Sequence, residues 1–165
     1  MANSLGLVES AGQLRHAFGC FPSGVLAICA YAGDGPVGMA ASSFTSVSLD
    51  PPLVSVCIQN TSSTWPVLRR QKVLGLSVLA EDQDAQCAAL ASKHGDRFAG
   101  VEWTSVKDGA VFVAGAALWL GCKVHTEVAA GDHTVVLLTV LGVRADASRA
   151  PLVFHGSRYR RLASL

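Results

Sequence analysis

Apolar residues in this chain recur in short runs or at every second position, the spacing of strands rather than helices. Residues 25–31, 53–58 and 73–79 are apolar runs of strand length. In 116–126, Leu118, Leu120, Cys122 and Val124 alternate with Trp119, Lys123 and His125, the period of a strand with one buried face. Residues 103–106, 111–113, 134–143 and 151–154 read as further strands. Two stretches depart from this pattern. Leu14, Ala17, Phe18 and Phe21 fall at i, i+3, i+4, i+7, with Ser10 and Gln13 spaced as a capping box ahead of them and Gly19, Pro22 and Gly24 behind. Residues 82–94 form a second helix, acidic at its start and closed by Lys93 and His94 before Gly95, in agreement with the helix dipole. There Cys87, Leu90, Ala91 and His94 share a face, which gives His94 a structural place. Thr64 as N-cap with Pro66 in the first turn predicts a third, short helix. About eight strands with two or three short helices predict a mainly β protein, a closed antiparallel barrel.

The 165 residues suit one domain, read as a lead-in over 1–9 and a single domain over 10–165. Hydrophobic residues are 50% and charged residues 15% of the chain. So sparse a charged surface fits a subunit that hides part of itself in an oligomer. A net charge of +1 without a basic run argues against nucleic acid as a partner. Five cysteines, odd in number and without a Cys-x-x-Cys pair, read as reduced core residues, neither a disulfide frame nor a metal site. The histidines make no ligand pair at helical spacing, so no metal is expected. No leader pattern opens the chain and no apolar stretch reaches ~18 residues, which predicts a cytoplasmic protein with no membrane span.

The chemistry concentrates in residues 38–52, Gly-Met-Ala-Ala-Ser-Ser-Phe-Thr-Ser-Val-Ser-Leu-Asp-Pro-Pro, where five hydroxyl side chains follow a run of small residues. A buried hydroxyl without a partner costs roughly 1–3 kcal/mol, so these require water or a polar ligand. Gly38, Ala40 and Ala41 let a flat ligand approach the backbone. Ser42 and Ser43 are adjacent, so in a strand one offers its side chain and the other its backbone. Residues 33–38 match the G-x-G-x-x-G dinucleotide fingerprint, but no helix follows the last glycine, and the match reads as a hairpin turn. The hydroxyls of Thr61–Thr64 sit at a helix start, where they serve either as a phosphate seat or as simple caps. His133, in the turn Gly131-Asp132-His133, has the position of a histidine that merely starts a strand. No G-x-S-x-G elbow accompanies it, so the turn is not a hydrolase site.

Taken in order, Phe21-Pro-Ser-Gly-Val25, the 38–52 stretch with Leu53, Ser62-Ser-Thr-Trp-Pro-Val-Leu68, Asp96-Arg-Phe-Ala-Gly100, Gly131-Asp-His133 and the tail around Tyr159 resemble the short-chain flavin reductases, which supply reduced flavin to two-component monooxygenases. The resemblance spans residues 14–162. It implies an FMN-binding split β-barrel, a homodimer with flavin near the subunit interface, reduction of FMN (or FAD) by NADH or NADPH, and a separate oxygenase component. By the same resemblance Gly38, Met39, Ala40, Ser42 and Ser43 face the isoalloxazine ring, and Cys57, Ile58 and Gln59 line its other edge or the ribityl chain. Ser63 and Thr64 hold the phosphate, and Arg97 and Phe98 flank the flavin. Gly131, Asp132 and His133 receive the nicotinamide, which Arg158 and Tyr159 approach from the C-terminal segment. Where a family member carries Lys or Arg near Thr61 or Ser62, this chain has no cation, the nearest later ones being Arg69 and Arg70. Hydride transfer between two cofactors needs no acid, base or nucleophile from the protein, so no catalytic side chain is expected. A binding barrel that holds flavin without turnover is the alternative.

Overall fold

The apolar run at 25–31 becomes a strand buried on both faces, and the sheet is laid out around it. The computed structural model describes residues 6–163, so residues 1–5 of the expected lead-in lie outside the described residues. Three short helices are present, α1 (Ala11–Phe18), α2 (Trp65–Leu68) and α3 (Asp84–Ala91). The strands are β1 (Ser23–Gly24), β2 (Leu26–Ala32), β3 (Gly35–Ala41), β4 (Thr45–Leu49), β5 (Pro52–Gln59) and β6 (Leu74–Val78), then β7 (Trp103–Ser105), β8 (Val111–Val113), β9 (Leu118–Ala130), β10 (His133–Ala145), β11 (Val153–His155) and β12 (Arg158–Arg160). Seven of them form one antiparallel sheet in the order β3-β2-β6-β9-β10-β5-β4, beside a β1-β11-β12 sheet and a β7-β8 hairpin.

On β2, Leu26, Ile28 and Ala30 enter one core with Val56, Ile58, Leu76, Leu120 and Val136. Ala27 and Cys29 enter a second core with Leu79, Cys87, Leu90 and Val111. The alternation expected for 116–126 holds through Val124, after which a bulge opposite Leu137 and Leu138 shifts the register. The barrel expected as closed is not closed by strand pairing: β3 and β4 stand at the two edges of the seven-stranded ladder. β4 pairs with β5 only as far as Ser55. Two residues on, the backbone of Cys57 takes the hydroxyl of Ser43 in place of a strand, its N–H donating at 2.8 Å and its C=O accepting at 3.1 Å.

Both longer helices differ from their sequence pattern. Ser10 caps α1 as expected, accepting from the N–H of Gln13 at 3.1 Å, yet no residue of that helix is buried, and Phe18 and Phe21 lie open. Helix α3 stops at Ala91 and not at His94. Ser92 turns the chain out of the helix, its hydroxyl accepting from the N–H of His94 at 3.2 Å and donating to its C=O at 2.8 Å. His94 is therefore exposed and off the helix. Of the five cysteines, all free, Cys29, Cys87 and Cys122 are in the core whereas Cys20 and Cys57 are exposed.

Candidate functional site

Residues Met39 to Ser43 form one wall of a cleft of about 600 Å³. Gly38 precedes this wall on β3. A Cβ there would meet Cys29 Sγ at 2.5 Å and Phe98 Cζ at 3.0 Å, so the glycine makes room for their packing on the strand face it shares with Ala40 and Ser42. Phe98 belongs to the second core and sets its edge against Trp103, ring centroids 6.4 Å apart. Neither lines the cleft, although both were expected to face the ligand. Ser42 and Ser43 divide as adjacency requires: Ser43 spends its hydroxyl on Cys57, and Ser42 is exposed to the cleft.

Strand β5 supplies a second wall. Cys57 and Gln59 line it, while Ile58 between them is 1% exposed and in the core. Burying such a side chain stabilises the fold by roughly 1.5–3 kcal/mol, and strand alternation then forbids it from facing a ligand on the other side. That corrects the expectation for Ile58.

Past β5 the chain enters α2, and here the hydroxyls have separate tasks. The expected N-cap, Thr64, makes no cap bond; Ser62 Oγ accepts from the N–H of Trp65 at 3.1 Å. Thr64 Oγ1 is instead an acceptor for Arg97 Nη1 at 2.8 Å, and the same nitrogen donates to the Gly38 carbonyl at 3.0 Å. Arg97 thus ties β3 to the start of α2. Lys93, released by the early end of α3, also lines the cleft, as do Ser62, Ser63 and Thr64. The cation missing from the local sequence around Thr61 is thus supplied from the segment after α3. Arg69 does not supply it. It is paired with Glu127, which also accepts from Trp65 Nε1 at 2.8 Å. Two cations beside a row of hydroxyls can take up an anionic group, because hydrogen bonds to charged oxygens are the strong ones.

His133 closes the cleft at the other side. It begins β10 opposite both Ala130 and Gln59. Its Nδ1 lies 2.7 Å from Asp132 Oδ1, a hydrogen bond that holds the Asp132 carboxyl below the usual carboxylate range. Gly131, at φ +67°, adopts the left-handed conformation this tight turn requires. Gly131 and Asp132 themselves are exposed at the tip and do not line the cleft. Asn60 staples that tip to β5. Its N–H donates to the Asp132 carbonyl at 3.0 Å, and its Nδ2 donates to the Gly131 carbonyl at 3.1 Å. Its Oδ1 accepts from Thr134 Oγ1 at 2.9 Å. No local pattern marks Asn60 as a tie between two segments, and Lys93 has the sequence position of a helix end.

On β12, Tyr159 pairs with Phe154 and Arg158 with His155. Paired residues share a face and neighbours alternate, so Tyr159 faces inward, its hydroxyl donating to Cys87 Sγ at 3.2 Å. Arg158 falls on the outer face and is exposed, away from the cleft it was expected to approach.

A ligand with a flat ring and an anionic tail fits these features: small residues along one wall, polar groups on the opposite one, and cations with hydroxyls at one end. Residues 18–163 match the family described as flavin reductase like domain. A flavin reductase of Pseudomonas putida is 34% identical over 152 residues, covering 92% of this chain and 89% of that protein. The reductase subunit of a flavin-dependent monooxygenase from Rhodococcus jostii is 33% identical over 147 residues, 89% of this chain and 75% of that one. Among solved structures, the Streptomyces globisporus NADH:FAD oxidoreductase in complex with NAD and FAD fragments superposes with a TM-score of 0.89 at 36% identity, covering 96% of this chain and 98% of that chain.

Proposed function

The chain belongs to the flavin reductase-like family, and from that premise we propose that it is an NAD(P)H-dependent flavin reductase, which passes a hydride from a nicotinamide to FMN or FAD. The observation that carries this reading is the cleft between β3 and β5, with Arg97 and Lys93 beside the Ser62–Thr64 hydroxyls at one part of its rim and His133 at another. Ser63, Thr64, Arg97 and Lys93 hold the flavin phosphate. The Met39–Ser43 wall backs the ring, with Cys57 and Gln59 against its polar edge. His133 orients the nicotinamide carboxamide, at a site open enough for nucleotide to exchange.

When bound, flavin supplies the hydride-accepting chemistry, with two electrons and one proton leaving the nicotinamide together. What the protein contributes is distance, orientation and a counter-charge. Arg97 fixes the wall that the ring rests on, and no residue of the cleft has to give or take a proton.

Residues 10–165 act as one domain in this reading, and the curled sheet is the family's split barrel. Val37, Met39, Ala41 and Phe44 from the β3 edge pack on the same core as β5 and β10, which supports closure by side chains where pairing stops. The exposed apolar Phe18 and Phe21 support a homodimer that covers them. A separate oxygenase that consumes the reduced flavin, and a cytoplasmic location, complete the proposal. No helix among the described residues is long and apolar enough to cross a membrane.

The test is to mix purified protein with NADH or NADPH and free FMN or FAD and to follow nucleotide absorbance. Flavin-dependent oxidation is expected, with FMN favoured over FAD. If every combination stays inert although flavin binds, the protein is a flavin-binding barrel and not a reductase. Light scattering should report about twice the 17.1 kDa chain mass.

A further inference from the structure

The cleft does not end at Ser42. Ala40, Ala41 and Ser42 also border a smaller, open and mostly apolar hollow of about 200 Å³, lined on its other sides by Val25, Cys87, Phe154 and Tyr159. We propose that this hollow takes the dimethylbenzene edge of the flavin ring, and that Tyr159, anchored on Cys87, sets how much bulk that edge can carry. The proposal rests on the flavin-reductase reading of the main cleft.

A flavin ring has two unlike edges, one of carbonyls and an N–H, the other of two methyl groups. The cleft has two unlike sides to match. Gln59 and His133 stand on one side, with the exposed Cys57. In the hollow the polar groups are few: Ser42, and a phenol hydroxyl already donating to Cys87 at 3.2 Å. A carboxamide or ring carbonyl turned toward that face finds few protein partners, whereas methyl groups gain from contact with its apolar side chains. For the same reason the hollow suits a nicotinamide ring poorly, although family likeness groups Tyr159 with the nucleotide. The phosphate end lies elsewhere on the same wall. Arg97 bonds the carbonyl of Gly38, four residues before Ser42, and a strand rises roughly 3.3 Å per residue.

Tyr159 is 39% exposed and stands at the rim of the hollow, held there by its neighbours. Its ring packs edge-on against Phe154 with centroids 5.8 Å apart, and its strand is paired to β11, which pairs in turn with β1. Burial pushes its phenol up to about 12, so the hydroxyl keeps its proton, and its bond to Cys87, across the neutral range. Asp84 is the nearby acidic group and raises it in the same direction.

The experiment compares dissociation constants of three phosphorylated flavins by competition: FMN, roseoflavin mononucleotide, in which a dimethylamino group replaces one ring methyl, and the analogue lacking both methyls. One misfitting carbon in an apolar pocket is worth about tenfold or more. Wild type should therefore bind the dimethylamino flavin at least about tenfold more weakly than FMN. Tyr159→Ala should remove most of that gap while the KM for NADH changes by less than about twofold. Ala40→Val, which narrows the hollow from the opposite wall, should weaken FMN by about tenfold relative to the analogue without methyls. Equal binding of all three flavins by wild type overturns the proposal. So does a Tyr159→Ala enzyme that loses NADH affinity at an unchanged flavin ratio, which would return Tyr159 to the nucleotide. Should Tyr159→Ala fail to fold, the wild-type ratio and Ala40→Val decide alone. Loss of binding for every flavin in wild type would sink the reading of the main cleft, whereas intact binding with flat ratios sinks only the hollow.

Discussion

The two rims of the cleft are built differently. At the β3 rim a half-buried guanidinium bonds a backbone carbonyl and a threonine hydroxyl, and the strand beneath is wedged against Cys29 and Phe98 with no room for a Cβ. At the hairpin rim His133 is braced by a carboxylate with 94% of its side chain exposed, on a turn tied down by Asn60. Buried, multiply bonded groups keep their places, while exposed pairs contribute little and exchange freely. On the proposed reading the flavin phosphate would sit at the rigid rim and the nucleotide at the open one.

The strongest way to break this contrast is Gly38→Val. Its side chain would be driven into Cys29, Phe98 and the Ile28 carbonyl, and overpacking of this kind costs roughly 1–3 kcal/mol. A denaturant melt should show that loss, with flavin binding falling alongside. A stable Gly38→Val protein would mean the rim is softer than it looks.

Next comes Arg97→Ala. Removing hydrogen bonds to a charged oxygen should weaken FMN by roughly 1.5–3 kcal/mol and riboflavin by less, read by fluorescence titration. Thr64→Val should act largely through the same guanidinium, so that the double variant loses less than the sum of the two. Arg69→Ala is the control. That side chain is engaged with Glu127, and FMN affinity should not follow it. If Arg69 and not Arg97 controls FMN, the phosphate lies outside the cleft.

His133→Ala should raise the KM for NADH by roughly tenfold or less, about one neutral hydrogen bond, with the flavin dissociation constant unchanged. Single-turnover reduction with flavin prebound separates lost binding from lost alignment. A variant that loses flavin and keeps NADH would exchange the two rims.

The smallest effect is expected from Asp132→Asn. The hydrogen bond with His133 lowers the Asp132 carboxyl pKa in the folded state. A group so depressed adds its restraint above its ordinary pKa and loses it only as pH falls through the folded value. The restraint that Asp132 supplies should therefore persist down to the normal carboxylate range and be lost below it. Asn at 132 should abolish that acid-side rise in the KM for NADH. An identical profile in both proteins would show that Asp132 does not restrain His133.

Much of this was legible along the chain. The strand segments, the Ser10 cap and the Gly131 turn all rest on contacts between near neighbours, where periodicity and turn chemistry act directly. Of the residues of the hydroxyl stretch and the segments named with it, Met39, Ala40, Ser42, Ser43, Cys57, Gln59, Ser63, Thr64, Arg97 and His133 line one cleft. What escaped is the choice between neighbours: Ile58 turns inward where Cys57 turns outward, and Gly38 is taken up by the packing of Cys29 and Phe98. Each depends on which face of a strand meets the core.

The order of apolar and polar residues, by itself, determined that this chain makes strands and short helices, and which hydroxyl-rich segments need polar partners, because both follow from local propensity and burial. Only the tertiary structure decided that Arg97 would stand beside Thr64 and Gly38, 33 and 59 residues away, that Lys93 would leave its helix for the cleft, and that Ser43 would take the place of a strand on β5. Those are long-range hydrogen bonds and packings set by the curl of the sheet, and no local pattern of residues encodes them.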